Sequence, residues 1–507
     1  MSGSDKGRVW IGTLGVVCLA VFAARTSPRS LALPPGAGAV NVKVQWDQVT
    51  AVSKSTPTLQ VVVNPPLERG SSIHDRVFDA LHSLGADDVR YVPWLPYPKL
   101  AVAELEAPEA GKTSWDFSLI DPMMDDLMQS TRGHSVIINF STIPQWMFKT
   151  PKPVPYPSDA NQVTWDYEQG TELRDPSLKE AADYYGRLVS WYTQGGFTDE
   201  AGTFHSSGHH YKIDYWEVLN EVDFEHNMTP EFYTALYDAI TASIHRADPA
   251  MKFLGLALGS PGQSPRFFEY FLDPQHHKPN TPLDMISYHF YASPAGDEPA
   301  EAWPYTFFDQ ASRFVDLVRY IQSIRARLSP RTATDIDELG AILPNDNAAP
   351  RGPIPNSYWN LCSAMYAYLY SELAQLGVEV VGESQLVGYP SQFPSVSMVN
   401  WNTGQPNARF WTLKLLRDNL GPGDKLVHTE AGGNLYAQGF LTSSGKREIL
   451  LVNERNRELT ANIPGGTGAS ELVVDQSTGE HPAAASTLSS DAITLGEFGV
   501  ALVTLKQ

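Results

Sequence analysis

The amino-acid sequence predicts an α/β fold, a closed (β/α)8 TIM barrel followed by a C-terminal β-sandwich. Between Thr58 and Asn419, eight short apolar runs alternate with segments of helical periodicity, which is the pattern of parallel β/α units. Eight such units are the number that closes a barrel. After about Asp424 the helical periodicity is lost, and short runs separated by turn residues indicate a β-sandwich.

Each predicted barrel strand is apolar through its middle, as expected when both faces of a parallel sheet are covered. The strands are Thr58–Asn64, Asp88–Trp94, Ser135–Phe140, Tyr211–Val218, Met251–Leu258, Leu283–His289, Ala333–Asp337 and Val378–Glu383. The helices that follow them are Ser72–Leu84, Leu119–Thr131, Ser177–Thr193, Pro230–Ala247, Pro265–Phe271, Phe308–Leu328, Ser357–Leu376 and Ala408–Asn419. An open doubly wound sheet is the alternative, but Asn64-Pro65-Pro66 stands where its glycine-rich phosphate loop would follow the first strand.

The change of pattern after about Asp424 divides the chain into a predicted barrel domain at residues 40–423 and a predicted accessory domain at residues 424–507. The predicted accessory strands are Glu448–Asn453, Leu459–Ile463, Glu471–Asp475, Ala492–Leu495 and Val500–Leu505. A further run, Val40–Trp46, is expected to pair with them although it precedes the barrel.

The first 25 residues have the pattern of a secretory leader. Lys6 and Arg8 precede an apolar run from Val9 to Ala24, which is short for a membrane span and of the right length for a signal-peptide core. An uncleaved type II membrane anchor is the alternative, and either one places the rest of the chain in the secretory pathway, at the cell surface or outside the cell. Residues 26–39 read as a linker.

Two cysteines and one glycosylation motif bear on the predicted secretory route. Cys18 lies in the leader, which leaves Cys362 alone in the processed chain without an intrachain disulfide partner. Asn227-Met228-Thr229 is a glycosylation sequon in a polar segment. The formal net charge of −20 argues against a nucleic-acid partner, for which a basic surface would be expected.

Carboxylates and polar residues end three predicted strands. Glu221 follows the fourth strand in Trp216-Glu217-Val218-Leu219-Asn220-Glu221, and Glu338 ends the seventh in Asp337-Glu338-Leu339-Gly340. Between them, the sixth ends in Tyr288-His289-Phe290-Tyr291. Because the carboxyl ends of barrel strands meet at one face, these side chains are expected to form one site. Cleavage of a glycosidic bond requires two carboxyl groups.

These three motifs resemble the retaining glycoside hydrolases of clan A, and most of all glycoside hydrolase family 39, which contains β-xylosidases and α-L-iduronidases. The resemblance covers the barrel and extends into the C-terminal β-domain. It implies that Glu221 is the acid/base, that Glu338 is the nucleophile and that Asn220 binds a sugar hydroxyl, while His289 and Tyr291 line the sugar pocket. The family usually has Trp-Asn-Glu-Pro where this chain has Leu219-Asn220-Glu221-Val222.

Three further residues are candidates for substrate binding. Arg90 lies inside the apolar second strand, where an unpaired charge is costly, so it either orients a site carboxylate or forms a structural ion pair. Trp146 and Trp401 follow strand ends and either stack on sugar or pack. Asp335 and Asp337 are alternative candidates for the nucleophile role implied for Glu338. Strict alternation along a strand would place these two aspartates on one face and Glu338 on the other.

No metal ion and no cofactor are expected. His209-His210 and His276-His277 read as exposed loop residues without zinc-ligand spacing. The expected partner is therefore a carbohydrate substrate. The protein itself is expected to be an exo-acting glycosidase, with an endo-acting glycanase as the alternative. The loops Pro144–Thr171 and Ser293–Tyr305 would shape its pocket or cleft. The competing class is a non-catalytic carbohydrate-binding protein of the cell surface.

Overall fold

The computed structural model describes residues 39–347 and 354–506. Within them, eight parallel strands form the closed barrel that the sequence predicts, each paired with the next along the chain and the eighth paired with the first. The barrel strands are Thr56–Val62, Val89–Val92, Val136–Ile138, Tyr215–Glu217, Lys252–Leu258, Met285–Ala292, Ala333–Ala341 and Val380–Glu383. The seventh strand continues beyond its predicted end at Asp337, so Glu338 lies within it.

Eight helices follow the eight strands, as the periodicity predicts. They are His74–Leu84, Asp121–Ser130, Lys179–Thr193, Pro230–Ala247, Pro265–Phe271, Trp303–Leu328, Asn356–Gln375 and Ala408–Asn419. A four-residue helix at Pro98–Ala101, the 3-10 turns Pro65–Leu67, Gln145–Met147, Pro274–His276 and Pro394–Val396, and the strand pair Gly196–Thr198 and Phe204–Ser206 lie in the connections.

The C-terminal part is a β-sandwich of two sheets. The larger sheet has the strand order Ala484–Thr487, Ser470–Val474, Val500–Thr504, Arg447–Asn453, Leu435–Leu441, Lys425–Glu430 and Lys43–Val52. The smaller sheet has the order Val40–Asn41, Leu459–Asn462 and Ala492–Leu495. Apolar side chains such as Val42, Leu451 and Val503 fill the space between the sheets. The run at 40–52 therefore pairs with the C-terminal strands, as expected for Val40–Trp46.

Barrel and sandwich meet at the helix Asn356–Gln375. This helix is buried on nearly every side because the barrel covers one face and the sandwich covers another. Across the junction, the Tyr436 hydroxyl donates to Glu372 Oε1 at 2.9 Å and contacts Ser371 Oγ at 2.8 Å. Cys362 lies in the same helix as a buried free thiol, and burial raises its pKa to about 12.

The predicted leader at residues 1–25 and the predicted linker up to residue 38 lie outside the described residues. Among the helices of the described part of the chain, none is both long and apolar enough to span a bilayer.

Candidate active site

Glu221 reaches the barrel mouth through a strained segment after the fourth strand. Leu219 and Glu221 both have left-handed backbones, with φ values of 66° and 41°, which non-glycine residues adopt only when the surrounding structure holds them. The Glu221 N–H donates to the carbonyl of Ala257 at 2.8 Å. A Cβ atom at Gly259 would lie 2.8 Å from the Glu221 carboxyl carbon, so this glycine provides the space that the carboxyl occupies.

Glu338 owes its direction to a β-bulge in the seventh strand. Ser287 of the sixth strand pairs with Asp335 and His289 pairs with Glu338, so the seventh strand contains one extra residue in that interval. A bulge changes the side of the sheet to which the following side chains point. Asp337 and Glu338 consequently both approach the same buried arginine, which strict alternation would not allow.

The two predicted catalytic carboxyls lie together around one histidine. His289 Nδ1 is 3.0 Å from Glu221 Oε1 and 3.5 Å from Glu338 Oε2, and one oxygen of each glutamate lies within 4.8 Å of the other. The side chains of Glu221 and Glu338 are 19% and 9% exposed, so both remain open to the barrel mouth.

Arg90 connects the floor of the site to Glu338. Its Nη1 donates to Glu338 Oε1 at 2.6 Å, and its Nη2 donates to Asn220 Oδ1 at 2.7 Å. Its Nε donates to Glu217 Oε2 at 2.5 Å and lies 2.9 Å from Asp337 Oδ2. Arg90 therefore pairs with a site carboxylate and belongs to a structural ion-pair network at the same time.

Tyr291 holds the other oxygen of Glu338. Its hydroxyl donates to Glu338 Oε2 at 2.5 Å and lies 2.6 Å from Ser384 Oγ, which in turn accepts a hydrogen bond from Gln60 Nε2 at 2.7 Å. Since Arg90 contacts Oε1 and Tyr291 contacts Oε2, both oxygens of Glu338 are held in fixed directions.

The environment separates the pKa values of the two glutamates. Burial raises the pKa of Glu221, and the neighbouring negative charge of Glu338 adds to this, although His289 offsets part of it. Burial also acts upward on the pKa of Glu338, but the positive charges of His289 and Arg90 and the Tyr291 hydrogen bond outweigh it and leave that pKa below its usual value. The surroundings therefore favour the protonated form of Glu221 and the ionised form of Glu338.

His289 carries the positive charge between them. Burial alone would lower its pKa, but the carboxylates of Glu338, Asp337 and Glu221 raise it to about 9. The raised pKa favours the protonated imidazole at neutral pH, and the positive charge of that form favours the ionised form of Glu338.

The rival carboxyls lie deeper in the barrel. Asp335 and Asp337 are fully buried, and burial is the largest cause that raises both pKa values well above the usual range. Their neighbour Glu217 has a pKa below its usual value, because Arg90 and hydrogen bonds from Asp337 and Ser287 outweigh the effect of burial. The pKa values of Asp335 and Asp337 are thus shifted upward, whereas that of Glu338 is shifted downward, which favours Glu338 as the ionised carboxylate.

Neither Trp146 nor Trp401 contacts the two glutamates. Trp146 Nε1 donates to the carbonyl of Glu104 at 2.8 Å and its ring packs under Arg174, while Trp401 lies in the turn between Asn400 and Gln405. Stacking on sugar stays a prediction for both tryptophans.

Other aromatic side chains form a cluster near Asn220. The rings of Trp94, Trp165 and Phe393 lie 5.4 to 6.2 Å apart, and Trp165 is 37% exposed. Trp94 Nε1 donates to Glu225 Oε1 at 2.6 Å, and this oxygen also accepts from Asn220 Nδ2. Sequence reasoning missed these residues, although Trp94 ends the predicted second strand and could have been found there.

The histidine pairs differ from expectation. His277 Nδ1 lies 2.7 Å from Asp238 and is nearly buried, and His209 is half-buried beside Asp121, so only His276 and His210 are exposed loop residues. In the described part of the chain, two groups of acidic and histidine side chains place ligand-type atoms within 4.8 Å of one another: Glu221, His289 and Glu338, and also Glu168, Glu225 and His226.

The same architecture occurs in solved glycoside hydrolases. The family 51 arabinofuranosidase of Xanthomonas axonopodis pv. citri superposes with a TM-score of 0.62 at 12% identity, covering 92% of this chain and 100% of its own. The α-L-arabinofuranosidase of Thermotoga maritima gives 0.60 at 13% identity, and the catalytic domain of the family 30 xylanase C of Talaromyces cellulolyticus gives 0.58 at 12% identity, each with the same coverage.

These identities establish the fold and not the family. No protein-family model and no curated protein sequence matches the chain. The chain is thus similar over most of its length to glycoside hydrolases that combine a TIM barrel with a β-sandwich.

Proposed function

We propose that this protein is a retaining glycoside hydrolase that cleaves O-glycosidic bonds by double displacement, with Glu221 as acid/base and Glu338 as nucleophile. The observation that carries the proposal is the separation of the two carboxyls, with oxygens within 4.8 Å. Retaining enzymes place these groups about 5–5.5 Å apart, whereas inverting enzymes leave about 6.5–9.5 Å for a water molecule.

In the first step, an oxygen of Glu338 bonds to the anomeric carbon while the protonated Glu221 gives its proton to the departing glycosidic oxygen. In the second step, Glu221, now ionised, takes a proton from water, and the hydroxide bonds to the anomeric carbon as the bond to Glu338 breaks. The raised pKa of Glu221 and the lowered pKa of Glu338 match these roles.

Arg90 and Tyr291 orient Glu338 through its two oxygens. Asn220, which accepts from Arg90 and donates to Glu225, is the residue proposed to bind a sugar hydroxyl. Trp94 and Trp165 offer aromatic faces to the apolar side of a sugar ring. We place the enzyme nearest to family 39 on the strength of the three strand-end motifs, and we propose exo action on glycans or small glycosides. Endo action is the second candidate, because two long loops border the barrel mouth.

Purified protein incubated with a panel of aryl glycosides, with the first product followed by NMR, tests the proposal. We expect turnover of at least one pentoside or hexoside and a first product with the anomeric configuration of the substrate. A first product of opposite configuration would exclude double displacement. Sugar binding without turnover on the whole panel would favour the non-catalytic class.

We also propose that the chain enters the secretory pathway, because of the apolar run between Lys6 and Arg25. Expression in a eukaryotic host, followed by N-terminal sequencing of the secreted and membrane fractions, distinguishes a cleaved leader from an anchor. Full-length protein confined to the cytosol would contradict both. Asn227 is exposed, so the same material can be tested for a glycan at this residue.

A further inference from the structure

A second acidic and histidine cluster lies beside the candidate active site. Glu168 comes from the long loop after the third strand, and Glu225 and His226 come from the segment after the fourth. Ligand-type atoms of the three side chains lie within 4.8 Å of one another. The side chains of His226 and Glu168 are 0% and 1% exposed, so water does not surround them.

This cluster has polar atoms without hydrogen-bond partners. Both carboxylate oxygens of Glu168, both ring nitrogens of His226 and Oε2 of Glu225 are buried in this way. Glu168 Oε1 lies 3.1 Å from His226 Nδ1 without the geometry of a hydrogen bond. Buried polar groups without partners cost free energy, and such a concentration of them calls for a ligand.

The two carboxyl groups of the cluster also have no cationic side chain as a partner. Within the described residues, no lysine or arginine forms an ion pair with Glu168 or Glu225. Neither ring nitrogen of His226 has a hydrogen-bond partner, and an imidazole nitrogen is a common metal ligand.

We infer that Glu168, Glu225 and His226 bind a divalent transition-metal ion of the zinc class. Zinc takes imidazole nitrogen and carboxylate oxygen at about 2.0–2.2 Å, and ligand atoms on a tetrahedron of that size lie about 3.3 Å apart. The 3.1 Å contact between Glu168 and His226 is close to that spacing. Calcium and magnesium prefer all-oxygen sites, so the imidazole disfavours them.

The ion would connect the loop to the active site. Glu225 uses Oε1 to hold Asn220 and Trp94, so Oε2 is the oxygen left for a metal. Trp165 lies three residues before Glu168 on the loop. The face of His226 is stacked on Phe148, with ring centroids 5.9 Å apart, which fixes the direction of its nitrogens. The role inferred for the ion is to fix the loop that borders the barrel mouth.

Metal content tests this inference independently of any hydrolytic activity. The full chain is exposed to excess ZnSO4, dialysed against metal-free buffer and measured by inductively coupled plasma mass spectrometry. We expect one zinc per chain in the wild type, and we expect zinc affinity to fall by more than about 100-fold in Glu168→Gln and His226→Gln, since even outer-shell changes cost 10–100-fold. Much less than one zinc per chain in the wild type would overturn the inference.

Two control variants locate the ion. Glu104→Gln removes another fully buried carboxyl without hydrogen-bond partners that has no histidine beside it, and it should retain one zinc per chain. Glu338→Gln removes a carboxyl of the other histidine cluster and should also retain it. Loss of zinc in Glu338→Gln, with retention in His226→Gln, would move the ion to the active site and refute the assignment.

Thermal unfolding and cobalt substitution provide readouts of their own. Zinc, but not calcium, should raise the Tm of the wild type and of Glu104→Gln and leave that of His226→Gln unchanged. If the variants do not fold, Co2+ bound to the wild type decides the matter. The visible absorption of a tetrahedral nitrogen and oxygen site supports the assignment, and a six-coordinate aqua-like spectrum contradicts it.

Discussion

His289 is the residue that sets the protonation states of the candidate site. It contacts both glutamates, and its positive charge lowers the pKa of each. We predict that His289→Asn moves both limbs of the pH profile of kcat/KM to higher pH. The acid limb reports ionisation of Glu338 and the alkaline limb reports loss of the Glu221 proton, and both pKa values rise when the charge is removed.

Tyr291→Phe is the matched control for this prediction. The Tyr291 hydroxyl lowers the pKa of Glu338 and makes no hydrogen bond to Glu221. Only the acid limb should therefore move in that variant. A profile that keeps both limbs in place in His289→Asn would mean that the imidazole is neutral in the working enzyme.

The nucleophile assignment leads to a second prediction at this scale. Glu338→Ala should lower kcat by several orders of magnitude, and added azide should restore turnover as a glycosyl azide of inverted configuration, because the small anion enters the space of the missing carboxyl. Product analysis by NMR checks this. Near-normal activity without azide would transfer the role to another carboxyl.

Glu221→Gln provides the contrasting pattern. A missing general acid slows substrates with poor leaving groups far more than activated aryl glycosides, which need little protonation. Equal losses on the two substrate types would contradict the acid/base role.

At the scale of elements, the N-terminal strands bear on stability. Lys43–Val52 is an edge strand of the larger sheet and pairs with Lys425–Glu430, and Val42 is buried in the sandwich core. We predict that a chain beginning at Ser53 loses several degrees in Tm and tends to aggregate, because removal of the strand exposes the edge of Lys425–Glu430. A chain beginning at Ala39 is the matched control and should unfold like the full chain. Scanning calorimetry and light scattering measure both effects.

The sequence predicts the barrel well because its period is strong. All eight strands and all eight helices are present, since a parallel strand covered on both faces has a nearly continuous apolar run that sequence reveals. The strands of the sandwich are harder to predict from the sequence. Lys425–Glu430, Leu435–Leu441 and Ala484–Thr487 were not predicted, because polar residues interrupt their apolar positions and their pairing is non-local.

The sequence predicts only those site residues whose positions follow from the predicted strands. The positions of Glu221, Glu338, His289, Tyr291, Asn220 and Arg90 follow from the order of the strands, and the structure brings these six together. The bulge that turns Glu338 towards Arg90 depends on pairing between strands and has no local signal. Glu168 and His226 are 58 positions apart in the chain, so only the folded loop makes them neighbours.

For the whole molecule, buried acids and His289 make stability fall as pH rises above about 6.5, whereas below that pH His226, whose pKa burial lowers to about 4, acts in the opposite direction. His289 has a folded pKa of about 9, above its ordinary 6.5, so its contribution is present below pH 6.5 and is lost as pH rises through 9. Burial raises the pKa of Glu104 to about 8 and of Glu383 to about 7, and these contributions are likewise lost as pH rises from about 4.5.

We therefore predict that the free energy of unfolding falls between about pH 6.5 and pH 9. Urea unfolding at a series of pH values, followed by tryptophan fluorescence, measures it. In His289→Asn the free energy of unfolding should decline less steeply between pH 6.5 and 9. Below pH 6.5 its slope against pH should be the same as in the wild type. A stability that increases over this range would show that the raised pKa values do not govern the fold.

The pairing of residues 40–52 with strands beyond residue 424 has a consequence for the order of synthesis. On the ribosome, the first strands of the sandwich emerge before any of the strands with which they pair. They wait while the whole barrel is made, a separation of more than 370 residues between Val52 and Lys425. During that interval their apolar positions, Val42 among them, have no sheet to cover them. The larger sheet of the sandwich can therefore be completed only after the chain beyond the barrel has been synthesised.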